Sequence, residues 1–349
     1  MRPLYHFAAS TAAIAIGSQA FASEIIYSTQ GAVNRFNATQ SGVDNQIGAE
    51  IEGNGGYIYP WDYDAAQQIG VNNTANVTQN GVANQANFKQ GRDNVHAFDA
   101  GILYDFGSVS EAMFNTLNLS QSGQENTALI NQMGNHNAAN TAQSGSLNVS
   151  TTEQWGHMDT ASTSQFGVEN TSFITQSDFN GIGGEKSASV FQNGNSNYAY
   201  LNQYEDYYST ISPGAQVASI NQAGSGNQTT VYQTGRASLD SRIGGDNNMH
   251  TINQRLIAPF ASENAAEVSS FGDFNNVSLT QSGLGGNMAE IHQDGDQNAV
   301  SLAQNRQDGF AMITQSGSNN MLNLTQNGVG NSFQISMVGS SHAISLTQY

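Results

Sequence analysis

Cysteine is absent from the 349 residues, so no disulfide framework can hold this chain together. Positive charge is scarce as well. Only 9 Lys and Arg stand against 27 Asp and Glu, a formal net charge of −18. That balance speaks against nucleic acid and anionic membrane surfaces as partners, because both would repel the chain. It also keeps the chain soluble in transit. Charged residues are 10% of the total, far below the ~25% of ordinary globular domains. Proline occurs four times, and no apolar run is long enough to span a bilayer. Gly, Asn, Gln, Ser and Thr fill the space these absences leave. Such a mix suits a disordered low-complexity chain, but disorder does not need the fixed phase described next.

The first 22 residues read as a secretory leader. Arg2 and His6 give a short basic start, residues 7–17 an apolar run, and Ala20-Phe21-Ala22 a small-x-small cleavage site. The competing expectation is a buried first element. On the leader reading the exported chain begins at Ser23, and residues 23–349 form one repeat domain.

Gln121, Gln132, Gln143, Gln154, Gln165 and Gln176 recur every eleven residues. Gly follows two residues after the first five of them, and Asn or Asp five residues after. The unit is N-x-a-x-h-x-Q-x-G-x-x, where a is small and h is apolar. It can be placed 22 times; 21 units carry the Gln, Met337 being the exception, and Asn opens 16 of them. Weaker copies lie at residues 45–51 and 264–270, where the Gln is replaced.

Alternation at period two predicts strands with N, a, h and Q on one face and mainly Ser, Thr, Asn and Tyr on the other. A helix is excluded, because the apolar residues fall at i, i+2 and not at i, i+3, i+4. The G-x-x-N segment is turn chemistry: Gly tolerates positive φ and Asn bonds nearby backbone. Strand, turn, strand, turn closes a 22-residue coil. The expected fold is therefore an all-β, two-strands-per-turn β-solenoid, a β-arcade of about 11 coils spaced ~4.8 Å apart. Buried Asn and Gln would be costly unpaired, but stacked amides can bond one another along the axis. The ladder residues expected to set register are Asn34, Gln40, Gln79, Asn84, Gln90, Gln121, Asn126, Gln132, Asn137, Gln143, Gln315, Asn320, Gln326, Asn331 and Gln348, with His342 beside the last.

This pattern resembles the curlin repeat of the curli amyloid subunits of Gram-negative bacteria. The family form S-x5-Q-x-G-x2-N-x-A-x3-Q is nearly literal at residues 79–90 and recurs at 121–132 and 192–203. The C-terminal Gln348-Tyr349 is similar to the end of a major curli subunit. The resemblance implies a subunit exported through a dedicated outer-membrane pore, which polymerises with itself into extracellular adhesive fibres of the biofilm matrix. Its implied partners are other copies of itself, curli-type secretion and nucleation proteins, and host or matrix surfaces. The chain departs from the family in three ways. It has about twice the usual number of repeats. It lacks the Gly-rich segment that normally follows the leader. It is also interrupted near residues 52–67, 96–114, 204–215, 234–247 and 255–263.

The first interruption holds Tyr57, Tyr59, Trp61 and Tyr63 among acidic residues, and Tyr204, Tyr207 and Tyr208 stand at another. Each reads as an elaborated turn or as an adhesive loop, since Tyr and Trp give rigid contact area. Asp294-Gly295-Asp296-Gln297-Asn298 looks like a calcium loop, but it occupies an ordinary repeat turn and no carboxylate follows at EF-hand distance. Asp246 has the same setting. Such turn charges suit gatekeepers that slow premature stacking. The seven His are scattered without ligand spacing, and no nucleophile elbow, P-loop or zincin motif is present. No catalytic residue, cofactor or metal is expected. Two other readings are a non-polymerising secreted adhesin or ice-binding rod, and a solenoid enzyme acting on polysaccharide. The second would need clustered carboxylates on a coil surface.

Overall fold

The structure is a computed structural model that describes residues 11–16, 24–25, 27–30, 34–47, 66–90, 97–99, 102–104, 112–178, 185–205, 215–256 and 262–349. The described residues are strands and turns, with no helix among them. They fall into two compact units, residues 1–161 and 162–349. Each is a β-solenoid with two parallel sheets, as the period-two alternation requires.

In the first unit one sheet is built from Arg35–Val43, Thr74–Val82, Thr116–Gln124 and Ala138–Ser146, all parallel and in register. The facing sheet holds Gln46–Ile47, Gln85–Gln90, Thr127–Asn135 and Val149–His157. Register matches like with like: Gln40 lies opposite Gln79, Gln79 opposite Gln121, and Gln121 opposite Gln143. Phe36, Val77 and Leu117 of one sheet meet Phe88 and Ile130 of the other in a dry core. The rings of Phe36 and Phe88 lie 5.5 Å apart. Burying side chains of this size contributes about 1.5–3 kcal/mol each. Thr11–Ile16, inside the expected leader, runs parallel to residues 35–40, and Glu24–Ile25 pairs with Gln46–Ile47.

The second unit is more extended in sequence and more regular. Its first sheet contains Lys186–Asn195, Gln216–Ser225, Ala237–Gly244, Asn264–Phe271, Met288–Asp294, Phe310–Ser316 and Ser332–Val338. Its second sheet contains Thr171–Ser177, Tyr198–Tyr204, Gln228–Thr234, Met249–Leu256, Asn276–Gly283, Ala299–Gln304, Met321–Gln326 and Ala343–Gln348. Inward positions of both sheets, such as Ile174, Leu201, Val231, Ile220 and Ile291, are buried.

Two features of the turn set the rung. Gly81 has φ +133°, and a Cβ there would sit 1.9 Å from the Gly123 carbonyl oxygen, so only glycine allows the rungs to stack this closely. At most rungs the residue before the Asn or Asp is also left-handed, and it includes side chains that usually avoid that region: Phe114, Leu147, Met158 and Phe274, all near φ +59°. The sequence pattern left this second position unmarked.

One interruption is corrected. Residues 234–247 do not bulge from the array as a loop. Ala237–Gly244 is a full strand of the first sheet, with Ala237, Leu239, Ser241 and Ile243 buried. Ala stands in the Asn place and Ile in the Gln place, so the polar signature vanished while the alternation survived. The weak copy at residues 264–270 is likewise a complete rung, Asn264–Phe271. Within 96–114, Ala97–Asp99 and Ile102–Tyr104 form an antiparallel pair, and Ala112–Met113 joins a parallel sheet. The interruptions at 52–67, 204–215 and 255–263, including Tyr57, Tyr59, Trp61, Tyr63, Tyr207 and Tyr208, fall largely outside the described residues.

Candidate functional site

The inward amides form the ladders expected of them. In the first unit Gln40 Nε2 donates to Gln79 Oε1 at 2.8 Å, Gln79 to Gln121 at 2.8 Å, and Gln121 to Gln143 at 2.9 Å. Gln90 donates in the same way to Gln132, and Gln132 to Gln154. In the second unit Gln176, Gln203, Gln233, Gln254, Gln281, Gln304, Gln326 and Gln348 make one unbroken column at 2.8–2.9 Å. Gln315 accepts from Gln293 at 3.0 Å. Spare Gln protons go to backbone carbonyls, as from Gln121 to Asn126 O at 3.0 Å. Along the second-sheet column of the second unit the buried amides are thereby satisfied rung by rung.

The Asn column does a different job. Asn126 Nδ2 donates to Asn84 Oδ1 at 3.0 Å and to the Gly145 carbonyl at 3.1 Å, while its backbone N–H donates to Asn84 Oδ1 at 3.1 Å. Asn320 repeats this on Asn298 and Gly339. At most rungs the Asn thus closes its own turn and clamps the glycine of the next rung, which explains why Gly and Asn travel together in the motif. Asn34 accepts from the backbone of Asn73, and Asn137 from that of Asp159. Asn331, on the last rung, gives its carbonyl to the Phe310 N–H. The two columns also differ in polarity along the axis. Gln side chains donate to the C-terminal rung, whereas Asn Oδ1 accepts from that rung and Asn Nδ2 donates to both neighbouring rungs.

On the first sheet of the second unit both columns are broken, and transverse bonds replace axial ones. Lys186 takes an Asn position and forms a fully buried ion pair with Asp178. Gln216 takes the next and donates to the Tyr204 carbonyl at 3.1 Å. The Gln column runs through Gln165, Gln192 and Gln222 and stops at Ile243. There Gln222 turns across the core to Thr229 Oγ1 at 3.0 Å. On the adjoining rungs buried His250 bridges Ser241 and Ser270, 2.8 Å to each. Ser270 donates its proton to Gln293 Oε1 at 2.8 Å, so its oxygen must accept from His250 Nε2–H. Nδ1 is then left to accept from Ser241, which fixes the neutral tautomer. Desolvation lowers the His250 pKa to about 3. At the last rung Gln315 meets Met337 sulfur at 3.7 Å.

Sequence reasoning missed three polar groups. Thr229 and His250 replace apolar residues at facing positions, a substitution whose purpose shows only in space. The third is Glu153, which points outward from the second sheet of the first unit. Its outward neighbours Leu129, Asn131 and Thr151 are buried, not solvated as the pattern suggested, and burial pushes the Glu153 carboxyl up to about 7. The turn aspartates are a column of their own. Asp296 Oδ1 accepts the Asp273 N–H at 2.9 Å, and Asp273 Oδ1 the Asp246 N–H at 2.8 Å. Among the described residues no group of three or more His, Cys, Asp or Glu could hold a metal, and no helix is long and apolar enough to cross a membrane.

The Ser241–His250–Ser270 set is wholly buried in the core. The arrangement offers strand edges and columns of aligned amides along each stack. Residues 286–328 match the family model of the curlin associated repeat. A comparison with curated proteins finds no match.

Proposed function

Because the chain belongs to the curlin-repeat family, we propose that it is a secreted structural subunit of a curli-like extracellular amyloid. It grows by pairing of edge strands at the ends of its coils, and it serves adhesion and the biofilm matrix at the surface of a Gram-negative cell. The observation that carries this reading is the last rung. Among the described residues Ser332–Val338 and Ala343–Gln348 each pair on one side only, and Phe333, Ile335, Ile344 and Leu346, of types that are buried at most earlier rungs, are half-buried or exposed. Such an edge is a hazard in most proteins and a template here. Leader removal after Ala22 would also take away Thr11–Ile16 and bare the edge of Arg35–Val43. The role is structural, with Gln and Asn supplying register; its partners are other copies, secretion and nucleation proteins, and matrix or host surfaces.

The test is incubation of the purified chain lacking residues 1–22 with thioflavin T, followed by electron microscopy. Seedable fibres are expected. A stable monodisperse rod would overturn polymerisation and favour a monomeric adhesin. Asp294 and Asp296 act in this reading as gatekeepers. The pair Asp294→Asn and Asp296→Asn keeps an acceptor for the Asp273 N–H but removes charge, and it should shorten the polymerisation lag. An unchanged lag would remove that role.

A further inference from the structure

The outward face of the second sheet in the second unit changes character on its first three strands. Phe173, Tyr198, Tyr200, Tyr204 and Tyr232 all project from Thr171–Ser177, Tyr198–Tyr204 and Gln228–Thr234, while Ile174, Leu201 and Val231 fill the core beneath them. Phe173 lies directly across from Tyr200, and Tyr232 across from Asn202. The Phe173 and Tyr198 rings are 6.0 Å apart at 53°, and those of Tyr200 and Tyr232 5.6 Å apart at 50°. Asn202 Nδ2 donates to Tyr200 Oη at 3.4 Å. Tyr204 and Tyr232 are 40% and 44% exposed, and the other three rings are half-buried.

The core does not need these rings, since it is already filled from the inward positions. Parallel in-register strands array them along one sheet face, and each ring has only two side-chain torsions to freeze on contact. Between them stand Thr, Asn and Gln, which donate and accept without charge. No outward position of the three strands is Asp, Glu, Lys or Arg, in a chain of net charge −18. The first charge on this face is Arg255, across from Thr234 on the next strand. Burial, and then the neighbouring tyrosines, raise the pKa of Tyr198 and Tyr232 above the usual phenol value, so the face stays neutral. A charged polymer finds no counter-charge here, and a polyanion is repelled by the rest of the chain. A neutral polymer with flat C–H faces and hydroxylated edges finds rings to stack on and amides to bond with.

We propose that this face, centred on Tyr200 and Tyr232, binds an extended neutral β-linked polysaccharide, its sugar rings stacked on the aromatic side chains. The inference does not depend on fibre formation, since a single copy carries the whole face. The test is co-sedimentation of freshly purified full-length chain with insoluble cellulose as the probe, against a control without cellulose. Soluble alginate and amylose serve as anionic and α-linked comparisons. Wild type should bind cellulose and ignore alginate. Tyr200→Ala combined with Tyr232→Ala should weaken binding about tenfold or more, on the scale of two lost ring contacts. Phe274→Ala, at an exposed turn of the same unit, should leave binding unchanged, and circular dichroism should show native strand content in all. Absence of wild-type binding, or equal binding by the double variant, would overturn the proposal. So would a double variant that loses self-association yet keeps cellulose, which would give the face to a second copy of the chain.

Discussion

The two sheets of the second unit are built from the same repeat, yet they solve the burial of polar groups differently. The second sheet keeps its Gln column intact from Gln176 to Gln348, each side chain bonded to the next along the axis and donating its spare proton to a carbonyl of the facing sheet. The first sheet loses Gln at Ile243, Ser270 and Met337 and Asn at Lys186, Gln216, Ala237 and Gly309. There the bonds turn through a right angle and cross the core, through Lys186–Asp178, Gln222–Thr229 and Ser241–His250–Ser270. The comparison teaches that this fold satisfies most of its buried polar groups and tolerates a change in their direction, although Gln216 Oε1 and Asn264 Nδ2 on the first sheet have no hydrogen-bond partner among the described residues. Axial bonds are supplied by copying a residue. Transverse bonds need residues chosen as pairs.

The sharpest way to break the comparison is to remove half of a transverse pair. Lys186→Met strands a buried carboxylate and should cost about 3–5 kcal/mol in urea unfolding, whereas Lys186→Met with Asp178→Leu should recover most of it. A second contrast sets Gln254→Leu against Ile243→Gln. The first leaves Gln233 and Gln281 each short of a partner in the intact column and should cost about 3 kcal/mol. The second offers Gln222 an axial partner and should change stability by less than about 1 kcal/mol. Equal losses would mean that the sheets do not differ.

His250, reaching from the second sheet to Ser241 and Ser270 of the first, gives these transverse bonds a pH dependence that the axial Gln column lacks. Its folded pKa of about 3 lies below the ordinary 6.5, so folding favours the neutral ring. The stability it supports is complete above pH 6.5 and falls by about 1.4 kcal/mol per pH unit as acid is added, until about pH 3. His250→Gln should flatten the unfolding midpoint measured across that window. Glu153 in the first unit has the opposite sign. Its pKa, raised from 4.5 to about 7, gives stability complete below pH 4.5 and lost as pH rises to 7, by about 3 kcal/mol at most. Glu153→Gln should abolish that decline.

The repeat made strands, in-register parallel sheets and the Gln and Asn columns legible before any coordinates, because each follows from spacing alone. The transverse groups were not legible for the same reason. Thr229 and Gln222, or His250 and Ser270, belong to different sheets, and no fixed offset announces them. Ala237–Gly244 was misread as an interruption because its polar markers had mutated to Ala and Ile, although its alternation was in plain view. Tyr204 was grouped with a loop, and it is the end of a strand whose neighbours make an aromatic face. The departures from the pattern, more than the pattern, carry what is particular to this chain.

The opposed columns have a consequence for direction. Toward its C-terminal end a stack presents Gln side-chain donors and Asn Oδ1 acceptors; toward its N-terminal end it presents Gln acceptors and the Asn backbone N–H. An incoming rung of the same sense meets a complement at both columns, while an inverted one sets donor against donor and acceptor against acceptor. A stack of such rungs has a built-in arrow, written by side-chain amides and independent of which sequence occupies the positions between them.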